Sequence, residues 1–233
     1  MKIDELNTYE SEQRGEALIF ADIPNEAYHA GVGISSSAIR RFGESQLHAI
    51  EHVQETTPAM KFGTAAHAML VEGDEAFNND IAVLTGSPYT NANKELKKEY
   101  EERGLTVIKE AELNHIKGMK ANMIEEGNMY LNPEGKLAEA SFYWYEDEVL
   151  CKCRPDVLCP PLTKPYADNS VVVIDYKKTQ SCDPKAFAGS VRKYGYDMQA
   201  AWYRRGMQKA GFKVQEFVFV AQEKVPPYAA KVF

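Results

Sequence analysis

Cysteine is scarce: four residues in a chain of 233. That is too sparse for a disulfide framework and predicts a reducing, cytoplasmic setting. No stretch approaches the ~18 consecutive apolar residues of a membrane span. The opening Met1-Lys2-Ile3-Asp4-Glu5-Leu6-Asn7 lacks the basic and apolar blocks of an export signal. Positive charge is not in excess either, since 27 Lys and Arg face 34 Asp and Glu for a net charge of -7. This excludes a uniformly basic nucleic-acid coat but not a local basic groove. Internal repeats, low-complexity segments and linkers are lacking. What is present is an ordinary folding mixture, 44% hydrophobic, 26% charged and 11% aromatic, which excludes disordered and collagen-like classes. At roughly 100–200 residues per domain, a single domain over residues 1–233 is expected.

The first half reads as mainly helical. Ile34–Phe42 reads as a helix start at which a serine of Ser35–Ser37 can cap the free N–H groups, and a second helix is expected from Gln46 to Val53. Phe62, Ala65, Ala66, Met69 and Leu70 recur at helical spacing within Lys61–Glu72, with Gly73 as C-cap. Two charged helices follow, Asn93–Arg103 closed by Gly104 and Lys109–Glu126 closed by Gly127. The texture then changes to β. Leu137–Tyr145 and Val149–Arg154 predict an antiparallel hairpin around Glu146-Asp147-Glu148, and Pro155 to Pro165 a loop. Val171–Ile174 is a short apolar run suited to a buried central strand. A helix from Asp183-Pro184 to Gly195, another over Asp197–Ala210 and a strand over Val214–Val220 complete one sheet. The chain stops at Ala229-Ala230-Lys231-Val232-Phe233 within a further extended segment, as though a C-terminal piece were missing.

The chemistry gathers at Arg154-Pro155-Asp156 and, nineteen residues after Asp156, at Asp175-Tyr176-Lys177. Charged side chains terminate otherwise apolar strands there. Asp175 and Lys177 share a strand face because the side-chain period is two. If a neighbouring strand end brings Asp156 alongside, two carboxylates repel unless a divalent cation lies between them. Hard oxygen ligands suit Mg2+ bound together with a substrate phosphate. The adjacent lysine could stabilise developing phosphate charge or help deprotonate the attacking water.

With Pro155-Asp156 and Asp175-x-Lys177, the sequence resembles the RecB-like branch of the PD-(D/E)XK nuclease superfamily. Gly63-Thr64-Ala65-Ala66-His67 matches its upstream helix with a histidine, and Gln199-Ala200-Ala201-Trp202-Tyr203 its Gln-x-x-x-Tyr helix. Ile23-Pro24-Asn25-Glu26-Ala27-Tyr28-His29 and Ile34-Ser35-Ser36-Ser37 resemble the start of the RecE-type, exodeoxyribonuclease VIII-like domain, so the likeness covers most of residues 20–225. The resemblance implies an α/β fold, a restriction-endonuclease-like mixed sheet flanked by helices. It also implies a Mg2+-dependent exonuclease, with Mn2+ able to substitute, that degrades the 5′-ended strand of double-stranded DNA. The 3′ tail would pass to a single-strand annealing recombination protein of phage or prophage type, and a ring-like homo-oligomer is implied. Asp156, Asp175 and the main-chain carbonyl of Tyr176 would hold the metal, His67 would complete a second position, and Glu139 is a further acidic candidate. Gln199 and Tyr203, four apart on one helix face, would position Lys177, a metal-bound water or a phosphate.

Each motif also has a plain reading. A lone Asp-x-Lys is usually a surface ion pair, a histidine among Ala65, Ala66, Ala68 and Met69 is usually a packed core residue, and Gln199 with Tyr203 could be ordinary helix residues. Their occurrence in family order favours the site. No iron–sulfur cluster is expected, because no cysteine follows Cys182, and Cys151 and Cys153 share one strand face as core residues do. Lys94–Glu99 mixes signs like a solvated helix face. Arg40, Ser35, Ser37, Lys178, Arg192 and Lys193 are the candidate DNA contacts, with Arg40 assigned to a terminal phosphate. The competing functions are a structure-specific or single-strand endonuclease and a catalytically silent DNA-binding module.

Overall fold

Polar caps and helical apolar spacing decide where the helices of this chain begin. The computed structural model describes residues 9–50 and 57–233. The first half contains β1 (Glu12–Arg14), β2 (Ala17–Phe20), α1 (Asn25–Ala30), α2 (Ser36–Glu44), α3 (Gln46–Ile50) and α4 (Pro58–His67). A π-helical turn (Ala68–Glu72), α5 (Asp74–Asp80), β3 (Ile81–Leu84), α6 (Asn91–Glu102), β4 (Thr106–Lys109), α7 (Glu110–Ala121) and α8 (Glu125–Leu131) follow. The second half contains β5 (Leu137–Ala138), β6 (Ser141–Glu146), β7 (Val149–Cys153), β8 (Val157–Cys159) and β9 (Ser170–Thr179), then α9 (Pro184–Tyr194), α10 (Tyr196–Lys209), β10 (Lys213–Glu223) and β11 (Ala230–Val232). The result is a mixed α/β fold, as expected. No described helix is long and apolar enough to cross a membrane.

Several boundaries differ from the sequence reading for local reasons. The helix expected over 61–72 starts at Pro58, because Thr57 accepts from the Met60 N–H and proline suits the first turn. It widens into the π turn, whose end is marked by the Gly73 N–H donating to Ala68 O. The helix expected over 109–126 is two, α7 and α8. Gly127 lies inside the second rather than ending it, and a Cβ there would lie 2.7 Å from Met123 Sδ. The helix expected over 46–53 is seen as α3, its remainder falling outside the described residues. The Pro155–Pro165 loop contains β8, and the strand expected over 137–145 breaks at Glu139. Strand β9 runs on to Thr179, so Asp175-Tyr176-Lys177 lies inside a strand rather than at its end. Among the described residues, three sheets replace the single one expected. Strands β1 to β4 and helices α1 and α5 gave too short a periodic signal to be read.

The chain divides into two units, Met1–Val53 with Asn132–Asp175 and Asp183–Phe219, and Gln54–Leu131 with Tyr176–Cys182 and Val220–Phe233. The first contains an antiparallel sheet in the order β1-β2-β6-β7, with Ala17 opposite Trp144 and Trp144 opposite Cys151. Side-chain alternation sends Phe142 and Trp144 into one core with Cys151, Cys153, Met207 and Ala210, and Tyr143 into another with Phe20, Tyr28 and Leu150. Burial on both faces explains the continuous apolar run Phe142–Trp144. The predicted hairpin forms here, with Glu146 opposite Val149 and Asp147 at positive φ in the turn. Within this unit β10, β9, β8 and β5 also lie side by side. Helix α10 packs its Tyr203–Met207–Ala210 stripe on the Phe142–Trp144 core.

In the second unit β3 and β4 pair in parallel, joined by α6 as a parallel connection requires. Leu96 and Tyr100 of α6 pack on Ala82, Leu84 and Val107. The mixed-sign stretch from Lys94 lies on this helix, which buries no residue entirely and pairs Lys97 with Glu101 and Lys98 with Glu102. Ile116 and Met119 of α7 are fully buried, and β11 pairs with the end of β10, Val232 opposite Val220.

Gly206 marks the closest approach of α10 to its sheet. A Cβ there would lie 2.7 Å from Cys153 Sγ and 2.9 Å from the Trp144 ring, both fully buried. Gly206→Ala is expected to destabilise the fold by about 1–3 kcal/mol through overpacking, despite alanine's better helix propensity. The measurement is the shift of the urea midpoint at unchanged m-value.

Candidate active site

Strand register brings the acidic residues together. Ala138 pairs with Val157 and Val157 with Ile174 across β5, β8 and β9, all antiparallel. One step further along each strand, the same level carries Glu139, Asp156 and Asp175. The Glu139 N–H donates to Asp156 O at 3.1 Å, which continues the ladder although Glu139 itself has a positive φ of 53°. Carboxylate oxygens of Glu139 and Asp156 lie within 4.8 Å of one another. By the period of two, Asp156 shares the face of Leu158, and Asp175 that of Val171 and Val173, the face covered by α10.

Helix α10 holds Asp175 in place. Gln199 Nε2 donates to Asp175 Oδ1 at 3.2 Å and to the Tyr203 hydroxyl at 2.9 Å, one turn along the same stripe. The expected Gln199–Tyr203 pair therefore exists, and Asp175 is the group it orients. Burial raises the Tyr203 pKa well above that of a free phenol, with Tyr28 and the charges of Asp175 and Asp156 adding to the effect. The phenol stays neutral. Asp175 is almost wholly buried, Glu139 and Asp156 half-buried.

The sequence showed Arg154 without giving it a role. Its buried guanidinium donates to Ser141 Oγ from Nε at 2.9 Å and from Nη2 at 2.6 Å, and from Nη2 to Ile23 O at 2.8 Å. It lies 4.1 Å over the Tyr28 ring, and Nη1 is 3.7 Å from Glu139 Oε2. Its place immediately before Pro155-Asp156 was a signal; its partners, 13 and 131 residues upstream, were not.

Of the candidate DNA contacts of this unit, Ser37 and Arg40 line a neighbouring cleft of about 240 Å3, together with Ser36, Tyr194, Tyr196 and Gln199 among others. Arg40 is exposed and bonded to Glu44 at 2.8 Å. Ser35 caps α2 by accepting from the Ala38 N–H, and shares a hydroxyl contact of 2.9 Å with Ser37. Arg192 and Lys193 occupy the last turn of α9.

The second unit contains His67, Tyr176, Lys177 and Lys178. His67 ends α4 where the π turn begins. Its Nδ1 lies 3.6 Å from Glu72 Oε1, and its ring meets Tyr176 edge-on at 6.5 Å. The buried Tyr176 hydroxyl donates to Gln222 Oε1 at 2.8 Å, so its side chain is anchored independently of its carbonyl. Lys178 Nζ donates to Gly63 O at 2.7 Å, and Lys177 is half-buried. All four cysteines are buried thiols, with Cys151 and Cys153 in the core of the first unit.

Removal of Arg154 is expected to be severe. Arg154→Ala should cost about 3–5 kcal/mol, because Ser141, Ile23 O and Glu139 lose a buried charged partner together. Arg154→Lys should recover only part, since one ammonium cannot reproduce the fork that bonds Ser141 and Ile23 O. Chemical denaturation of both variants checks this, and equal stability of Arg154→Lys and the parent would contradict it.

Residues 35–233 match the family described as a PDDEXK-like domain of unknown function, DUF3799. No curated protein matches the chain. The fold is similar to the crystal structure of an Eubacterium rectale protein provisionally named an exonuclease, at a TM-score of 0.54 and 15% identity over 91% of this chain and 77% of that one. That likeness extends to the fold alone, which is nuclease-like. With the match spanning the acidic row, the Asp175-x-Lys177 strand and the Gln199–Tyr203 helix, the chain belongs to the PDDEXK-like DUF3799 family.

Proposed function

We propose that this protein is a metal-dependent deoxyribonuclease acting on double-stranded DNA, with a 5′→3′ exonuclease as the specific activity. The observation that carries the reading is the row Glu139, Asp156 and Asp175 at one level of three adjacent strands. Its fit to a cation is chemical: the row offers acceptor-only carboxylate oxygens, two of them within 4.8 Å, the hard donor set that Mg2+ or Mn2+ takes. When bound, such an ion offsets phosphate charge and acidifies a water molecule.

The chain's own residues do the remainder. Asp156 and Asp175 would hold the ion, with Glu139 alongside. Gln199 fixes the Asp175 carboxylate through Oδ1, and Tyr203 fixes Gln199. Arg154 offsets the negative charge next to Glu139 without reaching into solvent. Lys177, two residues beyond Asp175 on the same strand, is suited to stabilise developing phosphate charge or to take a proton from the attacking water. His67 and the Tyr176 carbonyl enter through the resemblance in sequence, as further ligands. Arg40, Ser37, Arg192 and Lys193 would contact the DNA backbone, which positions the duplex and reads no sequence. The same resemblance supports 5′→3′ polarity, a single-strand annealing partner, a ring-like homo-oligomer and a cytoplasmic role in recombination.

Asp175→Ala and Lys177→Ala are each expected to reduce hydrolysis of linear duplex DNA to below a few per cent in Mg2+ while the far-UV spectrum is kept. Ca2+ should inhibit, because it tolerates the irregular coordination that Mg2+ does not. Digestion of end-labelled linear and closed circular duplexes decides the mode: release of label from the 5′ end of linear DNA alone is expected, and cutting of closed circles would give the endonuclease reading instead.

Arg40→Ala should slow cleavage of 5′-phosphorylated ends more than of 5′-hydroxyl ends, by roughly tenfold for one charge-assisted contact. Initial rates on otherwise identical duplexes measure this. Equal losses on both ends would remove Arg40 from that role.

A further inference from the structure

Tyr194 is 49% exposed, high for a large aromatic residue beside a cleft. Its ring stacks on Tyr196, with centroids 5.7 Å apart and planes at 27°. The geometry depends on Gly195, whose left-handed φ of 67° ends α9 and starts α10, so that the flanking residues place their rings together. A Cβ at Gly195 would lie 3.2 Å from Arg40 Cδ, which shows how closely that side chain crosses the junction.

Tilted ring contacts continue inward from this pair. Tyr196 meets Phe219 at 5.9 Å, Phe219 meets Phe217 at 5.1 Å, and Phe217 meets Tyr203 at 6.3 Å. Tyr203 is the residue that holds Gln199, and Gln199 both lines the cleft and bonds Asp175. A column of rings thus connects the cleft to the acidic row inside one unit. Two cations lie near its outer end: Lys193 Nζ lies over the Tyr194 ring, 5.2 Å from its centroid, and Arg40 lines the same cleft. A half-exposed aromatic ring with one mobile cation over it and another in the same cleft suits a ligand that is planar and apolar on one side and anionic beside it, which describes a nucleotide.

We propose that Tyr194 is a stacking platform for the 5′-terminal base of a DNA strand, whose phosphate lies toward Arg40. The terminal base is the occupant because only at an end does a base present a face that no neighbouring base covers. This rests on the nuclease reading for the identity of the ligand, and adds an end-recognition residue to it. Tyr194 acts as a positioning residue: it sets which nucleotide reaches Asp156 and Asp175 and touches none of the reacting atoms.

The test uses the full chain with fluorescently labelled duplexes whose 5′-terminal residue is either an ordinary nucleotide or an abasic one. Affinities are measured by anisotropy in Ca2+, and cleavage rates on the same duplexes in Mg2+. The unaltered protein should bind the base-bearing end roughly tenfold tighter, as expected for one base stacked on one ring. Tyr194→Ala should lower that affinity to the abasic level, and Tyr194→Phe should keep the preference, since stacking needs the ring and not the hydroxyl. Discrimination that survives in Tyr194→Ala, or that is lacking in the unaltered protein, would overturn the proposal, as would lack of binding to any DNA. A binding preference that follows Tyr194 without cleavage of either duplex would support the platform and refute the nuclease reading.

Discussion

Carboxylates at one level of a sheet repel, and that repulsion sets the conditions for the rest of the first unit. At a separation of about 5 Å and an effective dielectric constant of about 20, two unit negative charges cost on the order of 3 kcal/mol. The chain retains the row and surrounds it with compensation. Arg154 lies beside Glu139 with its other donors fixed by Ser141 and Ile23 O, and Gln199 directs an amide at Asp175. A positive φ at Glu139 is a further cost accepted at this level, and strained backbone of this kind concentrates at functional positions. A cation among such carboxylates offsets their repulsion, which is the chemical ground on which the row suits a metal.

The same helix serves the core and the site. Gly206, Met207 and Ala210 fit α10 to Trp144 and Cys153, and the stripe continues one turn back to Tyr203 and Gln199. The amide that orients Asp175 is thereby fixed by packing rather than by a loop, as a preorganised site requires. A second anchor is Lys152, whose buried Nζ donates to Tyr28 O and Gly31 O. Burial, with Arg154 nearby, lowers its pKa to about 8. The Lys152 N–H donates to Ile34 O and its carbonyl accepts from Trp202 Nε1, so the segment leading into the Ser35 cap is tied to β7, and β7 to α10. Arg40 consequently starts from a fixed base although its own side chain is exposed.

Long periodic elements and their caps were legible in the sequence. The Ser35 cap, the Asp183-Pro184 start, the Gly195 junction and the hairpin after Trp144 all follow from local rules about who can cap, turn or alternate. Gln199 and Tyr203 were legible as a pair because helical spacing is a fixed geometry. What Gln199 bonds was not, since Asp175 is 24 residues away and only the crossing of α10 over β9 brings it near. Strand β8 escaped notice because three residues between prolines carry no period, yet its register is what aligns Asp156 with Glu139 and Asp175. The position of Arg154 was legible but its role was not, for a related reason: a buried arginine resembles an exposed one until its partners are known.

Charge distribution completes the account of how an acidic chain could hold DNA. Many exposed cations already face carboxylates, among them Arg205 with Glu146 and Lys209 with Glu16. Their charge is spent locally and adds little to a long-range field. Arg40 has a carboxylate partner too, but the Arg40–Glu44 pair is an exposed i,i+4 contact with side chains 41% and 63% accessible. Such pairs contribute about 0.3–0.5 kcal/mol. A phosphate, like a carboxylate, can offer the same guanidinium two oxygens in charge-assisted contacts. A phosphate taking the place of Glu44 would therefore displace only a weak exposed contact. Under the proposed function, a residue that looks neutralised while lining the cleft would thus give up little on meeting a phosphate.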